Sequence, residues 1–394
     1  MRYIVTLFLL ILGTITVHAT HIVGGEFEIT HITDDRYLFR QIQYFDVING
    51  NPQAKDQFID ASIFRKRDNV FVRSVVMRYQ RENLVPYTNP ICSNSRLVTN
   101  RIEYAVEVTL EPHLFSDPEG YYMVWERCCR NETITNIVKP GETGQTFYIE
   151  FPPIRKGGQE FRNSSPQLFP PLSDYACVNQ FYYVDFRGFD PDGDSLVYRL
   201  DTPLNSSQFN PLPIPTPAPH PNVSWVQGIH TGYQVPGNPT LRINDKGFLT
   251  VTPSDEGLFV FSITCEEFRD GVKIGQVIRD FQLFVIDCPL PGNKPEILVK
   301  VPGTDNYVSE LGLVSLGLND DKCFDFLIKD RDGSEIIRLK AESVNFQENV
   351  QSILSVYTGT IPGPEDSFGV QVCLPDCPYL QNEPFIIDII AQDY

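Results

Sequence analysis

The chain has 394 residues, of which 42% are hydrophobic and 12% aromatic, and this excludes a disordered polymer and leaves room for about two to four packed domains. Its formal charge of −18 excludes the basic footprint that nucleic-acid binding requires and suits a well-solvated surface or cation binding. Abundant Phe (27), Tyr (18), Pro (31) and Gly (26) beside 3 Met point to strands and turns rather than helices.

In chain order, Met1–Ala19 reads as a secretory leader. Arg2 supplies the positive start, Ile4–Leu12 is an apolar run too short to span a bilayer, and Val17-His18-Ala19 predicts cleavage after Ala19. Loss of Arg2 with the leader takes the charge to −19. Ile22-Val23-Gly24-Gly25 shares its letters with the mature start of trypsin-like proteases, but no matching His or Gly-Asp-Ser-Gly-Gly motif follows, so it reads as an early strand with a Gly-Gly bend.

Residues 20–152 are expected to form a first β-sandwich. Its strands are Arg36–Val47, Ala61–Phe64 and Val70–Met77 around an Arg67-Asp68-Asn69 hairpin turn, Ile102–Leu110, and Phe147–Phe151 ending at Pro152-Pro153. In Ile102–Leu110 the alternation sets Ile102, Tyr104, Val106, Val108 and Leu110 on one face. No amphipathic helix of useful length is visible.

Residues 153–288 read as a second sandwich. Within it, 203–221 holds seven prolines in 19 residues, which excludes a central strand and predicts a long extended loop. Exposed loops on rigid scaffolds often carry function, so this loop, with His220 and Trp225 nearby, is the candidate binding loop. Leu258–Arg269, the turn Asp270-Gly271 and Lys273–Ile286 read as a hairpin, with Phe259, Phe261, Ile263 and Cys265 facing the core. A two-residue turn sets Arg269 opposite Val272 and Cys265 opposite Gln276, so Cys265 and Cys288 are not expected to bond. Residues 289–394 read as a third sandwich closed by a strand over 385–394, the front part of a longer chain.

The stretch RGFDPDGDSLVYRL, residues 187–200, allows three readings. Gly193-Asp194-Ser195-Leu196 has the letters of the GDSL hydrolases, but no histidine follows His230 and Ser195 lies mid-chain in strand context, so a nucleophilic role is rejected. Asp190, Asp192 and Asp194 are candidate calcium ligands, with Asp185, Glu266, Glu267 and Asp287 as acids that could complete the site. The alternative is an Asp-Gly turn whose side chains cap backbone N–H groups, and the incomplete ligand set favours it. Asp330-Arg331-Asp332-Gly333 and Asp117-Pro118-Glu119-Gly120 repeat the turn device.

There are nine cysteines, at 92, 128, 129, 177, 265, 288, 323, 373 and 377. In an oxidising compartment most should pair, and the odd count leaves at least one free or bonded outside the chain. Strand alternation would send Cys128 and Cys129 to opposite faces and two different structural disulfides. Arg127 and Arg130 beside them leave a redox role as the lesser alternative. Cys373 and Cys377 make a poor zinc site without further Cys or His.

Thr240–Asp270 resembles the immunoglobulin-like or cadherin-like modules of bacterial surface proteins. Asn244, Gly247, Leu249–Pro253 and Gly257–Ile263 carry the pattern, with Gly247 in a turn and Phe259 and Phe261 in a sandwich core. With Ala19–Glu26 (ATHIVGGE), Tyr121–Asn131 (YYMVWERCCRN) and Gly188–Tyr198 (GFDPDGDSLVY), the chain is similar to the N-terminal region of large secreted Bacteroidota proteins labelled gliding motility-associated or type IX secretion substrates. The resemblance implies tandem β-sandwiches, disulfide-stapled and non-enzymatic, exported to the cell surface or beyond for adhesion or scaffolding. It also implies a surface glycan or protein ligand as partner. Type IX export, and the secretion machinery as a partner, follow only if a sorting domain lies beyond Tyr394. A carbohydrate-binding accessory of a polysaccharide-degrading system, stacking sugars on Trp225 and tyrosines, is the alternative.

Overall fold

The computed structural model describes residues 22–87, 94–169, 174–288, 295–309, 321–331, 335–344, 350–374 and 386–393. It is all-β, with 54% of residues in strands and 3% helical. Among the described residues no helix is long and apolar enough to cross a membrane. The expected bonds of Cys92 and Cys377, and Asp332-Gly333 of the repeated turn, lie outside the described residues.

Seven strands come first: β1 (Ile22–Thr33), β2 (Arg36–Asp46), β3 (Phe58–Arg65), β4 (Phe71–Leu84), β5 (Thr99–Thr109), β6 (Tyr121–Arg127) and β7 (Gln145–Phe151). They pair antiparallel in the order β1-β2-β5-β4-β3-β6-β7. The hairpin turn between β3 and β4 is made by Asn69 at a φ of 58°, a left-handed conformation that Asn tolerates. On β5 the alternation is as expected, with Ile102, Tyr104, Val108 and Leu110 buried and Val106 partly so.

The sheet then closes with a strand from much later in the chain. Val272–Ile286 pairs along one edge with Gly257–Arg269. Its other edge pairs with β7 at Gln276–Ile278 and with β1 at Gly25↔Asp280, which completes an eight-strand barrel. A self-contained N-terminal sandwich over 20–152 is therefore replaced by a barrel whose last member lies beyond Pro152-Pro153. One apolar cluster draws Phe39, Ile63 and Ile149 from before those prolines and Phe259, Val277 and Leu283 from after them. Alternation tells which side of a strand faces in, but not which strand is its neighbour.

Glycine permits the seam. A Cβ on Gly24 would sit 1.9 Å from the Asp280 carbonyl oxygen, so only a residue without a side chain lets β1 approach the closing strand this closely. The Gly-Gly pair that reads as a bend in sequence is the contact that closes the barrel.

Beyond the seam the same sheet continues through Gly257–Arg269 to Ser195–Asp201, with Ala176–Cys177 parallel to the end of Val272–Ile286. A small sheet of Tyr182–Asp185, Phe248–Val251 and Arg242–Ile243 lies against it. Phe186 packs edge-on between Phe261 and Phe281, with centroids at 5.8 and 5.7 Å. The Cys177–Cys288 disulfide ties the ends of this layer together.

The Asp270-Gly271 turn sets Arg269 opposite Val272 as expected. A bulge between Glu267 and Phe268 then shifts the register by one, so Cys265 faces Val277 rather than Gln276. Cys265 is buried and free, and Cys288 bonds elsewhere.

The last region has its own core, in which Ile328, Ile337, Leu339, Ile361 and Val370 pack. One sheet holds Tyr307–Val308, Glu296–Lys300, Cys323–Lys329 and Ser367–Cys373; the other holds Thr358–Ile361, Glu335–Ser343 and Ile387–Asp393. Cys323 bonds Cys373 directly across adjacent strands. This region meets the small middle sheet through Lys340, whose ammonium lies 4.0 Å from the Phe248 ring centroid, and through Tyr183, whose hydroxyl donates to Gln392 at 2.7 Å. Arg242 pairs with Asp388, and the Asn244 amide donates to the Ser343 carbonyl.

Candidate functional site

Asp190–Gly193 forms the turn expected of its residues. Gly193 has a φ of 86° and donates its N–H to the Asp190 carbonyl at 3.2 Å. Asp190 Oδ1 accepts from the N–H groups of Asp192 (2.8 Å) and Asp194 (3.1 Å). Asp117–Gly120 repeats the device: Gly120 has a φ of 77° and the Glu119 N–H donates to Asp117 Oδ1 at 3.1 Å.

The turn delivers its carboxylates unequally. Asp192 stays outside the convergent group: its Oδ2 accepts from the Ser164 N–H at 2.5 Å and lies 3.7 Å from Arg269 Nη2. Asp190 and Asp194 instead converge with Glu267, and one oxygen from each lies within 4.8 Å of the others. Arg269 closes the outer side, with Nε and Nη2 donating to the two oxygens of Asp194 at 2.8 and 2.5 Å. Its other donors go to Asn163 Oδ1 (2.6 Å) and the Arg162 carbonyl (2.9 Å).

Glu267 is the member that the motif does not contain. It is 1% exposed; Oε1 accepts from Asn163 Nδ2 at 2.8 Å, while Oε2 has no hydrogen-bond partner. Asp190 Oδ2 is likewise buried without a partner. Burial, reinforced by Asp190 and Asp194, pushes the Glu267 carboxyl up to about 9, and burial also raises Asp190. Gly275 lies opposite Glu267, where a Cβ would come within 2.8 Å of Oε2, so the glycine leaves the carboxylate its space. The signal was present in sequence: one more step of the Phe259, Phe261, Ile263, Cys265 alternation puts Glu267 on the core face.

The other acids named from sequence do not join. Asp185 is held by Arg187, Glu266 pairs with Lys273, and Asp287 is exposed beyond the far end of the closing strand. Ser195 is an exposed strand residue opposite Phe268.

The Pro-rich loop is not a free arm. It covers the outer face of β6 and β7, where Leu204 and Ala218 pack on Phe64, Tyr122, Val124 and Tyr148. That cover explains why every residue of β6 is buried although its side chains alternate. The His220 side chain is 3% exposed and lies edge-on to Tyr148 (5.7 Å) and Tyr122 (6.2 Å), so it cannot serve as an exposed contact. Neither ring nitrogen has a hydrogen-bond partner; Nδ1 is 3.8 Å from Glu126 Oε1, which also has none. Burial holds the His220 pKa down to about 4. Trp225 is half-buried and packs with Ile134, Ile137, Val223 and Val260. The large apolar side chains that the loop exposes are Phe209, Leu212 and Ile214 at its tip, the last 75% exposed.

Cys128 and Cys129 bond to each other, not to separate partners. β6 ends at Arg127, so the strand alternation that would part them no longer applies. Both are buried, and the Cys128 N–H meets the Pro211 carbonyl of the loop at 3.4 Å. Their neighbouring arginines are already paired, Arg127 with Asp56 at 3.3 Å and Arg130 with Asp280 at 2.5 Å. Each therefore spends its charge on a carboxylate.

No family model matches the chain, and a search of the curated proteins finds no relative.

Proposed function

We propose that this is an exported, non-enzymatic surface protein with an adhesion or scaffold role, the reading that its resemblance to the N-terminal regions of secreted Bacteroidota proteins implies. The observation that carries it is mechanical. The barrel and the middle layer share Val272–Ile286, so load applied to one reaches the other through a continuous hydrogen-bonded strand. Two disulfides, Cys177–Cys288 and Cys323–Cys373, staple the layers that follow and suit an oxidising compartment. On this reading the middle and last regions are immunoglobulin-like or cadherin-like sandwiches. The apolar tip at Phe209, Leu212 and Ile214 is the contact surface for a protein or glycan ligand.

Purified chain immobilised on beads should retain cells or surface material, and a Phe209→Ser, Leu212→Ser, Ile214→Ser variant should lose most of that retention while melting unchanged. Equal retention by the variant removes the tip from the proposal, and no retention by either removes adhesion. Capture of the chain on insoluble polysaccharide would favour the carbohydrate-binding alternative. The mass of the native protein from surface and medium fractions tests export: a chain found only inside the cell overturns it.

A further inference from the structure

We propose that Asp190, Asp194 and Glu267 bind one divalent cation of the calcium class, which staples the Asp190–Gly193 turn to the strand ending at Arg269. Three observations carry this beyond a group of acids. First, Glu267 is 1% exposed and presents an unpartnered oxygen to the cluster, and the unpartnered Asp190 Oδ2 is buried beside it. Buried polar atoms in folded proteins almost always have a partner, so two orphans in one cluster point to a group between them. Second, the spacing fits. Oxygens bound to one calcium at about 2.3–2.6 Å lie no more than about 5 Å apart, and these lie within 4.8 Å.

Third, the charges balance. A divalent ion displaces the proton that Glu267 otherwise keeps, and the three carboxylates against the Arg269 guanidinium then leave the two negative charges that it neutralises. Arg269 does not itself complete the site. It occupies two lone-pair positions of Asp194, and no nitrogen of it bonds Asp190 Oδ2 or Glu267 Oε2. The donors are all carboxylate oxygens, which select a hard cation over zinc or copper. Supply from two separate chain segments suits the adaptable shell of calcium better than the strict octahedron of magnesium. Asn163 holds Glu267 Oε1 and Arg269 together and so orients the carboxylate as an outer partner would.

The test is calorimetric titration of the chelator-treated full chain with CaCl2, together with melting curves in calcium and in chelator. The wild type should take up about one calcium per chain and melt several degrees higher in calcium, because an ion bound only by the native state must stabilise it. Glu267→Gln keeps the volume and hydrogen bond while removing a charge, and Asp190→Asn does the same at the turn. Each should weaken binding by about tenfold or more. Asp192→Asn should change affinity by less than about threefold, since that carboxylate is committed to Ser164. Absence of both calcium heat and a calcium-dependent melting shift in the wild type overturns the site and leaves a carboxyl cluster sharing protons. Unchanged binding in Glu267→Gln and Asp190→Asn would place the ion elsewhere and equally overturn it. Should one variant fail to fold, the other decides.

Discussion

Arg279 and Glu26, 253 positions apart in the chain, form a fully buried ion pair with Nη2 2.7 Å from Oε1. The pair sits where β1 meets the closing strand. Arg279 Nε also donates to Glu26 Oε2 at 3.1 Å, Nη1 donates to the Phe169 carbonyl at 2.8 Å, and Tyr44 donates to Glu26 Oε1 at 3.1 Å. Beside it Arg130 makes a second bidentate pair with Asp280. Charges this far from water persist only when their hydrogen bonds are met, and here two successive residues of one strand are each met from a different segment.

Removal of one partner should therefore cost more than removal of both. Glu26→Ala is expected to destabilise by about 3–5 kcal/mol in denaturant unfolding, and Glu26→Leu combined with Arg279→Met by clearly less. A double variant as unstable as the sum of its singles would show that the pair does not act as a unit.

The Gly24 contact predicts a sharp steric limit. Gly24→Ala places a methyl 1.9 Å from the Asp280 carbonyl oxygen and should cost about 3 kcal/mol or more, because backbone must move on both sides. Gly232→Ala is the control: its nearest neighbours are His230 ring atoms at 3.6 Å, so its effect should stay within about 0.5 kcal/mol. Equal midpoints for the two variants would remove the argument for seam closure through Gly24.

Acid should loosen the Pro-rich cover. His220 is held neutral in the fold, with a pKa lowered to about 4 from its ordinary 6.5. The unfolded chain takes up that proton first, so its contribution to stability is present above about pH 6.5 and is lost as pH falls toward 4, by up to about 3 kcal/mol. Glu126 faces it with a raised pKa and opposes the trend by taking up its proton earlier in the fold. The difference in unfolding free energy between wild type and His220→Phe, measured from pH 7 to 4, isolates the histidine. A difference that does not change with pH would contradict its buried neutral state.

Cys265 should be chemically silent until the fold opens. Burial pushes its thiol up to about 12, so the reactive thiolate is scarce at neutral pH. Mass mapping after iodoacetamide treatment should find Cys265 unlabelled in buffer and fully labelled in denaturant. Labelling of native protein within minutes would mean that the sheet around Cys265 opens locally.

Sequence made several things legible because their physics is local. The alternation of β5, the Asp190–Gly193 and Asp270-Gly271 turns, and the exclusion of the Pro tract from a central strand follow from dihedral preferences and the two-residue repeat of a strand. The Glu267 position was also within reach of that repeat. What the sequence did not reveal was pairing between distant segments. Val272–Ile286 has the same pattern whether it ends a sandwich or closes a barrel, and only long-range packing made it the strand that closes the barrel. Cys128 and Cys129 bond each other because the strand stops at Arg127, which no alternation announces. His220 is buried because a loop that looks free in sequence has an apolar sheet face to cover. Residue periodicity determines which face of a strand is buried; the tertiary structure decides what buries it, because that depends on atoms supplied from elsewhere in the chain.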